Sequence, residues 1–410
     1  MTTNEAIFLK LLSASIFSSE IHIDDLAEDM EWNVIYEESI NQTVAALIYE
    51  SVCRLKASIL PYSELMLNWE EESMISVMRN SNIMYEHKAL LEILNANGIK
   101  CAVLKGAAAA INYPKPDLRN MGDIDILVKE EEFEKVKCLM KENGYDEIII
   151  FPQVSHELGF KKNNVKFEMH LNAPGVPDGS LGKKISAEIQ KIPESTVTAR
   201  VGGIEFPKPE TKHNGLILLL HIIHHLGSGI GLRQITDWAM FVNNELTADI
   251  WQKELEPILR EYKILNFTKV LTKMCCKYIG LSFEKCIWCK DADDKACDEF
   301  IKNIFEDGNF GRKNDARNNS ATMLIGNSTQ KDIGGFPVYK MFCNLQNAGK
   351  RAWPLARKNK FVSLFAWTYI PGRFIKRLFT GERRFKELIT IMGSAKKRYP
   401  LIKKLKIFRE

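Results

Sequence analysis

The sequence predicts an α+β protein whose small sheet-bearing core, residues 80–210, is flanked by mainly helical N-terminal and C-terminal regions. Three observations predict it. Apolar residues recur at helical spacing through residues 1–98 and again from Lys212 to about Phe305. Between these stretches the pattern changes to short or alternating apolar runs of strand length, separated by Gly, Pro and Asn turns. The 410 residues, 45% hydrophobic and 26% charged, have the composition of an ordinary folded chain and suffice for two or three domains of roughly 150 residues each.

In chain order, residues 1–79 form a helical N-terminal region, with Ile7, Leu11, Leu12 and Ile16, then Val44, Ile48 and Val52, at helical spacing. Residues 82–96 continue as an amphipathic helix that Asn97-Gly98 closes with a left-handed cap. The run at 101–104 is a strand, Lys105-Gly106 a turn, and the alanine-rich segment to about Tyr113 a helix. Pro114, Pro116 and Arg119 connect it to residues 122–128, a strand with one polar face. Residues 130–143 then read as a helix stopped by Gly144. The runs 154–160 and 165–171 form a hairpin through the polar turn 161–164. A Gly/Pro-rich stretch at 174–182 and an edge strand near 203–206 precede the helical domain, residues 211–307. Residues 308–335 have the composition of a polar loop or linker, and 336–410 form a basic, aromatic-rich C-terminal region.

Nine cysteines are scattered, and residues 1–17 lack a basic start and are interrupted by Glu5 and Lys10. The chain is therefore expected in a reducing cytoplasm, without a secretory signal. The longest apolar stretches, 216–226 and 361–370, fall short of the ~18 residues that span a bilayer. Charge is unevenly spread. Residues 351–410 hold 17 Lys/Arg against three Asp/Glu, so this +14 segment leaves −10 on residues 1–350 of a chain whose net charge is +4. Such a tail is either a solvated helical face or a surface for nucleic acid, an anionic membrane or a phosphorylated partner; the polymer and membrane partners are not favoured. Its aromatics, including Trp353, Phe361, Phe365, Trp367, Phe374 and Phe379, are expected to dock on the helical region and leave Lys and Arg around a cleft entrance.

The residues with chemistry are carboxylates. Asp123 and Asp125, two apart in a strand, point to one side roughly 6–7 Å from each other, where one divalent cation can bridge them. Two-metal phosphoryl transfer uses a third carboxylate as well, and Glu168 lies in an apolar run that can form the neighbouring strand. An Asp-x-Asp pair alone is also the pattern of a solvated strand edge. Here it is embedded in Ile and Leu, and it follows a strand, turn and helix able to offer Lys105, Gly106 and Ala107 to a phosphate, with Arg119 close by.

The segments Leu104-Lys-Gly-Ala-Ala, Tyr113-Pro, Leu118-Arg-Asn-Met-Gly-Asp-Ile-Asp-Ile-Leu-Val128 and Phe167-Glu-Met-His170 resemble a bacterial nucleotidyltransferase family described as uncharacterised, within the polymerase-β-like superfamily. The resemblance covers roughly residues 80–300. It implies a nucleotidyltransferase core with Asp123, Asp125 and Glu168 as catalytic ligands of Mg²⁺ or Mn²⁺, and a nucleoside triphosphate, with ATP the expected donor. It also implies that His170, His225, Arg233 and Asp237 can touch nucleotide or acceptor from the cleft walls. The superfamily's usual Gly-Ser or Gly-Gly turn is Lys105-Gly106-Ala107 in this chain, so the phosphate-binding hydroxyl is missing. The acceptor, a small molecule, sugar phosphate, peptide or protein, is not written in the sequence. The rival expectation is a catalytically silent protein that keeps the fold and only binds a nucleotide or phosphate.

Two histidine and cysteine patterns invite a zinc reading and are set aside. His221 and His225 stand one helical turn apart, but no Glu follows the first as a metalloprotease requires. Cys286 and Cys289, with Cys275, Cys276 and Cys297 nearby, lack the spacing of a zinc ribbon and fit core cysteines of helices at least as well.

Overall fold

The computed structural model describes residues 1–21, 30–148, 157–226 and 229–313, parts of 342–379, and residues 400–409. Helix α1 (Thr3–Phe17) starts at a capping box in which Thr2 and Glu5 satisfy each other's backbone N–H groups. It packs with α2 (Trp32–Asn41) and α3 (Ala45–Val52) around Trp69, whose indole N–H donates to Ala45 O at 3.0 Å. Trp69 belongs to α4 (Ser63–Ala96), a helix of 34 residues. The first half of α4 closes the N-terminal helical core, while Ile83, Leu90, Leu91 and Leu94 from its second half cover the sheet. The expected boundary between residues 79 and 80 therefore falls inside one continuous helix. Composition could not reveal this, because the helix simply changes the core it faces.

The sheet contains β1 (Cys101–Leu104), β2 (Ile124–Val128), β3 (Asp146–Ile148), β4 (Glu157–Lys162) and β5 (Val165–His170), in the order β1-β2-β5-β4-β3. Only β2 and β5 run parallel. Helix α5 (Gly106–Ala110) follows β1, and α6 (Phe133–Glu142) precedes β3. The expected hairpin is present as β4 and β5. Its turn is Asn163-Asn164, both left-handed at φ 48° and 64°, the geometry of a tight two-residue connection. One sheet face, with Val103, Ile126, Val128, Phe167 and Met169, is buried under α4 and α6. The other face carries Ala102, Leu104 and Leu127 together with the acidic residues, and it looks toward the helical domain.

Helix α7 (Ser180–Ile189) and the hairpin β6 (Thr196–Val201) and β7 (Ile204–Pro209) come next. The edge strand expected near 203–206 is one arm of this hairpin. Neither α7, which begins inside the Gly/Pro-rich stretch, nor the short exposed β3 was foreseen. The helical domain follows: α8 (Thr211–His225), α9 (Leu232–Asn244), α10 (Ala248–Ile250), α11 (Glu256–Glu261), α12 (Leu265–Met274) and α13 (Asp294–Asp307), with π-helical turns at Trp251–Leu255 and Cys275–Ile279. Beyond residue 313 the expected polar loop lies outside the described residues.

The C-terminal region contains α14 (Pro354–Lys358), α15 (Lys360–Leu364) and α16 (Tyr369–Phe379); of the aromatics expected to dock, Phe361, Phe365 and Trp367 stay exposed, while the side chains of Phe374 and Phe379 lie outside the described residues. Phe361 is 71% exposed and Phe365 50% exposed. These rings meet each other instead: Phe361 lies edge-on to Phe365, and Trp353 stacks on Tyr369. Residues 400–409 do dock, burying Leu401, Leu405, Ile407 and Phe408 against the helical core while Asn266 Nδ2 donates to Leu405 O at 3.2 Å. Among the described residues no helix is long and apolar enough to cross a membrane.

Candidate active site

The register of the central strands assembles the site. Asp125 of β2 stands directly opposite Glu168 of β5, and hydrogen-bonded strands lie about 4.8 Å apart. Asp123, two residues before Asp125, and His170, two after Glu168, share that side of the sheet by strand alternation. Asp125, Glu168 and His170 offer donor atoms that all lie within 4.8 Å of one another, so they could hold a metal ion. The segment leading into Asp123 is clamped by Asn80 of α4. Its amide donates to Asp117 O at 2.7 Å and Arg119 O at 2.9 Å, and its oxygen accepts from Met121 N at 2.9 Å.

Asp125 is the hub of the charge network. Its Oδ1 lies 2.7 Å from Lys105 Nζ and 2.7 Å from His170 Nε2. His170 Nε2 is also 3.5 Å from Glu168 Oε2, and its Nδ1 is 3.4 Å from Glu157 Oε1, an ion-pair distance rather than a formed hydrogen bond. Burial disfavours every charge here, yet the signs separate the groups. At Asp125 burial opposes ionisation, but Lys105 and His170 outweigh it and hold the carboxyl below its usual range. Burial and then the neighbouring Asp125 push Asp123 up, and the same two effects, with Asp123 added, bring Glu168 to about 7. At His170 burial lowers the value, but the hydrogen bond to Asp125 and the nearby Glu157 carboxylate outweigh it and raise it to about 9. For Lys105 the acidic cluster likewise overcomes burial.

Lys105 does not extend into solvent; its side chain is 9% exposed. Its backbone is left-handed at φ 51°, a conformation that costs energy for a residue with a side chain. Gly106 follows at φ 25°, and a Cβ there would stand 3.7 Å from Asp123 O, so the turn runs close to the acidic strand. Ala107 is buried. Helix α5 has only five residues, too short for a strong macrodipole, so phosphate binding at this turn would depend on Lys105 more than on the helix end.

Arg119 is engaged. Its Nε and a terminal nitrogen reach both oxygens of Asp237, at 3.0 and 2.5 Å, and Tyr113 Oη donates to Asp237 Oδ1 at 2.8 Å. The pairing of Arg233 with Asp237, suggested by their spacing along one helix, does not form because Arg119 takes both oxygens. Arg233 instead donates to Asn120 O at 3.3 Å, lies over the Phe310 ring at 5.7 Å, and leaves a buried Nε without a partner. His221 and His225 meet with their Nε2 atoms 2.9 Å apart. Burial lowers both well below the ordinary histidine value, so they form a neutral hydrogen-bonded pair facing the site. Three participants escaped the sequence reading: Glu157, Tyr113 and Asn80.

The profile of a family described as uncharacterised nucleotidyltransferase matches residues 28–280. The chain belongs to that family. Among curated proteins, none matches it. The nucleotidyltransferase match begins among the N-terminal helices, not near residue 80 where the resemblance was expected to start. It includes the whole sheet, the acidic cluster and both helices, α8 and α9, that face it.

The electrostatics of this member of the family predict a pH dependence of the metal-free protein. Glu168 rises from 4.5 in the unfolded chain to about 7, and His170 from 6.5 to about 9. Both groups bind protons more tightly in the folded state, so their contribution is fully present below the unfolded values and is lost as pH rises through the folded ones. In chelator, these two groups should make stability fall between pH 5 and pH 9, while His221 and His225, which burial keeps neutral, act in the opposite sense as pH rises through the unfolded histidine value. The stability of the parent relative to Glu168→Gln should therefore fall as pH rises from 5 to 7, and a difference independent of pH would remove Glu168 as the cause.

Proposed function

We propose that the chain is a metal-dependent nucleotidyltransferase with a polymerase-β-like core, which transfers a nucleoside monophosphate from a nucleoside triphosphate to a hydroxyl or phosphate of an acceptor. The observation that carries this reading is the opposition of Asp125 and Glu168 in register across β2 and β5, with Asp123 on the same face. The donor set fits a divalent cation: three carboxylates and an imidazole, with Asp123 and Glu168 held up by an excess of buried negative charge. Asp123, Asp125 and Glu168 would hold Mg²⁺ or Mn²⁺, which when bound supplies Lewis acidity and neutralises phosphate charge. Glu168 would assist the metal or act as base toward an acceptor hydroxyl.

Lys105 and Arg233 are the cations available to the phosphates. Arg233 has no carboxylate partner among the described residues, and its spare buried donor is an open valence for an oxyanion. Lys105→Ala should weaken triphosphate binding in Mg²⁺ by ~1.5–3 kcal/mol, the loss for a hydrogen bond to a charged group, and leave nucleoside binding nearly unchanged. Equal triphosphate affinities by calorimetry would return Lys105 to a purely structural pairing with Asp125. The rival reading, a silent nucleotide-binding protein, draws on that same pairing, because Asp125 is already satisfied by two cations. Incubation with labelled triphosphates and Mg²⁺ or Mn²⁺ separates the two: pyrophosphate release supports transfer, and a thermal shift without turnover supports binding alone.

A further inference from the structure

The cysteines between residues 275 and 297 divide into two kinds. Cys275 and Cys297 are buried core thiols, with Sγ 4.0 Å from Ile235 O and 3.5 Å from Val270 O. Cys276, Cys286 and Cys289 instead turn toward one another, and their Sγ atoms all lie within 4.8 Å of one another. They come from separate short pieces: the π-helical turn after α12, the residue that ends the turn Phe283–Lys285, and the turn Ile287–Cys289. Gly280 reverses the chain between the first two at φ 93°, where a Cβ would stand 2.0 Å from Ser13 Oγ. Packing of helix-core cysteines gives no reason for three thiols to converge.

The distances fit a metal better than a disulfide. Cys276 Sγ and Cys286 Sγ are 3.3 Å apart and both thiols are free, whereas a disulfide bond is about 2.05 Å long. Two thiolates each about 2.3 Å from a tetrahedral zinc stand roughly 3.8 Å apart. We propose that Cys276, Cys286 and Cys289 form a three-thiolate zinc site, separate from the carboxylate cluster. Soft thiolates select zinc over the hard cations that suit carboxylates. Among the described residues no fourth His, Cys, Asp or Glu joins the group, and Cys276 is the most exposed of the three, so a solvent molecule completes the tetrahedron on its side. Each thiol releases its proton as its metal–sulfur bond forms, and no electron is transferred. Three thiolates on Zn²⁺ leave one negative charge; the nearby cation that acts on Cys289 is Lys273, anchored to Ala292 O at 2.7 Å and shared with Asp294 at 3.0 Å. The site would pin a loop of short turns and fix Trp288, which stacks on Trp251 with ring centroids 3.5 Å apart. Cys286 and Cys289 lie beyond the matched segment, which ends at residue 280.

The test is metal analysis of the full chain purified under reducing conditions without chelator. One zinc per chain is expected, retained by the double variant Asp125→Asn with Glu168→Gln, which removes the alternative carboxylate site. Exchange with Co²⁺ should give the near-ultraviolet sulfur-to-cobalt charge-transfer band and the strong visible bands of tetrahedral coordination. Cys289→Ser should lose the zinc and melt at lower temperature. If that variant does not fold, Cys286→His, which keeps a ligand, should retain the metal with a shifted cobalt spectrum. Zinc-free protein with all these thiols reactive, a Cys276–Cys286 disulfide in the purified chain, or bound cobalt without the sulfur band would each overturn the proposal.

Discussion

Replacing Asp125 by asparagine should lower Mg²⁺-dependent consumption of a nucleoside triphosphate by about 10³-fold, about 4 kcal/mol of transition-state stabilisation. The size follows from the position of this carboxylate. It faces Glu168 across the parallel strand pair, contacts both Lys105 and His170, and is held ionised by them, so no neighbour has the charge or the placement to substitute for it. Asparagine keeps the shape but removes the charge that a cation and Lys105 would share. Removing one member of a buried ion pair also destabilises a fold by roughly 3–5 kcal/mol, so turnover must be normalised to folded protein by near-ultraviolet circular dichroism. Glu168→Gln, at a more exposed carboxylate that meets His170 Nε2 only at 3.5 Å, gives a cleaner comparison and should reduce turnover with little loss of stability. Retention of more than a tenth of the rate in folded Asp125→Asn would sink the assignment of Asp125 as a metal ligand.

How far the site was legible depends on the range of each contact. The strand at 101–104 and the acidic strand were readable because local alternation and the flanking turns define them. Glu168 was readable as a partner only in type; its register with Asp125 depends on a parallel crossover that contains α6 and the β4–β5 hairpin, which no local pattern fixes. Glu157 was missed for a smaller reason. Taking residues 161–164 as the turn left the hairpin register open, whereas the two-residue Asn163-Asn164 turn sets Glu157 opposite His170 and brings them onto one face. Phe361, Phe365 and Trp367 misled because hydrophobicity signals a contact without naming the partner, and among the described residues the rings of the tail pair with one another.

Arg119 shows the same limit at long range, and it supports a second large effect. Sequence spacing allowed Arg233 and Asp237, one helical turn apart, to pair as readily as to contact the cleft, yet the carboxylate is taken by a guanidinium 118 positions distant. That pair is buried, with side chains 4% and 2% exposed. Arg119→Met should therefore destabilise the protein by roughly 3–5 kcal/mol, because it leaves the carboxyl of Asp237 enclosed without its cation. Adding Asp237→Leu should recover most of that loss, to within about 1–2 kcal/mol of the parent, since an apolar pair of similar volume needs no desolvation of charge. The remaining polar neighbour can adapt. Tyr113 Oη lies 2.8 Å from Thr236 Oγ1 as well as from Asp237, and the Thr236 hydroxyl directs its own proton to backbone carbonyls, so its lone pair can accept from Tyr113 once the carboxylate is gone. Urea unfolding of the two single variants and the double variant measures the coupling, and additive losses would show that the two residues do not act as a pair. Triphosphate affinity of the double variant then assigns the role of Arg119. If affinity is unchanged in a folded double variant, the guanidinium is a brace that aligns the segment carrying Asp123 with α9. If affinity is lost while stability is recovered, Arg119 reaches the phosphates as the sequence suggested.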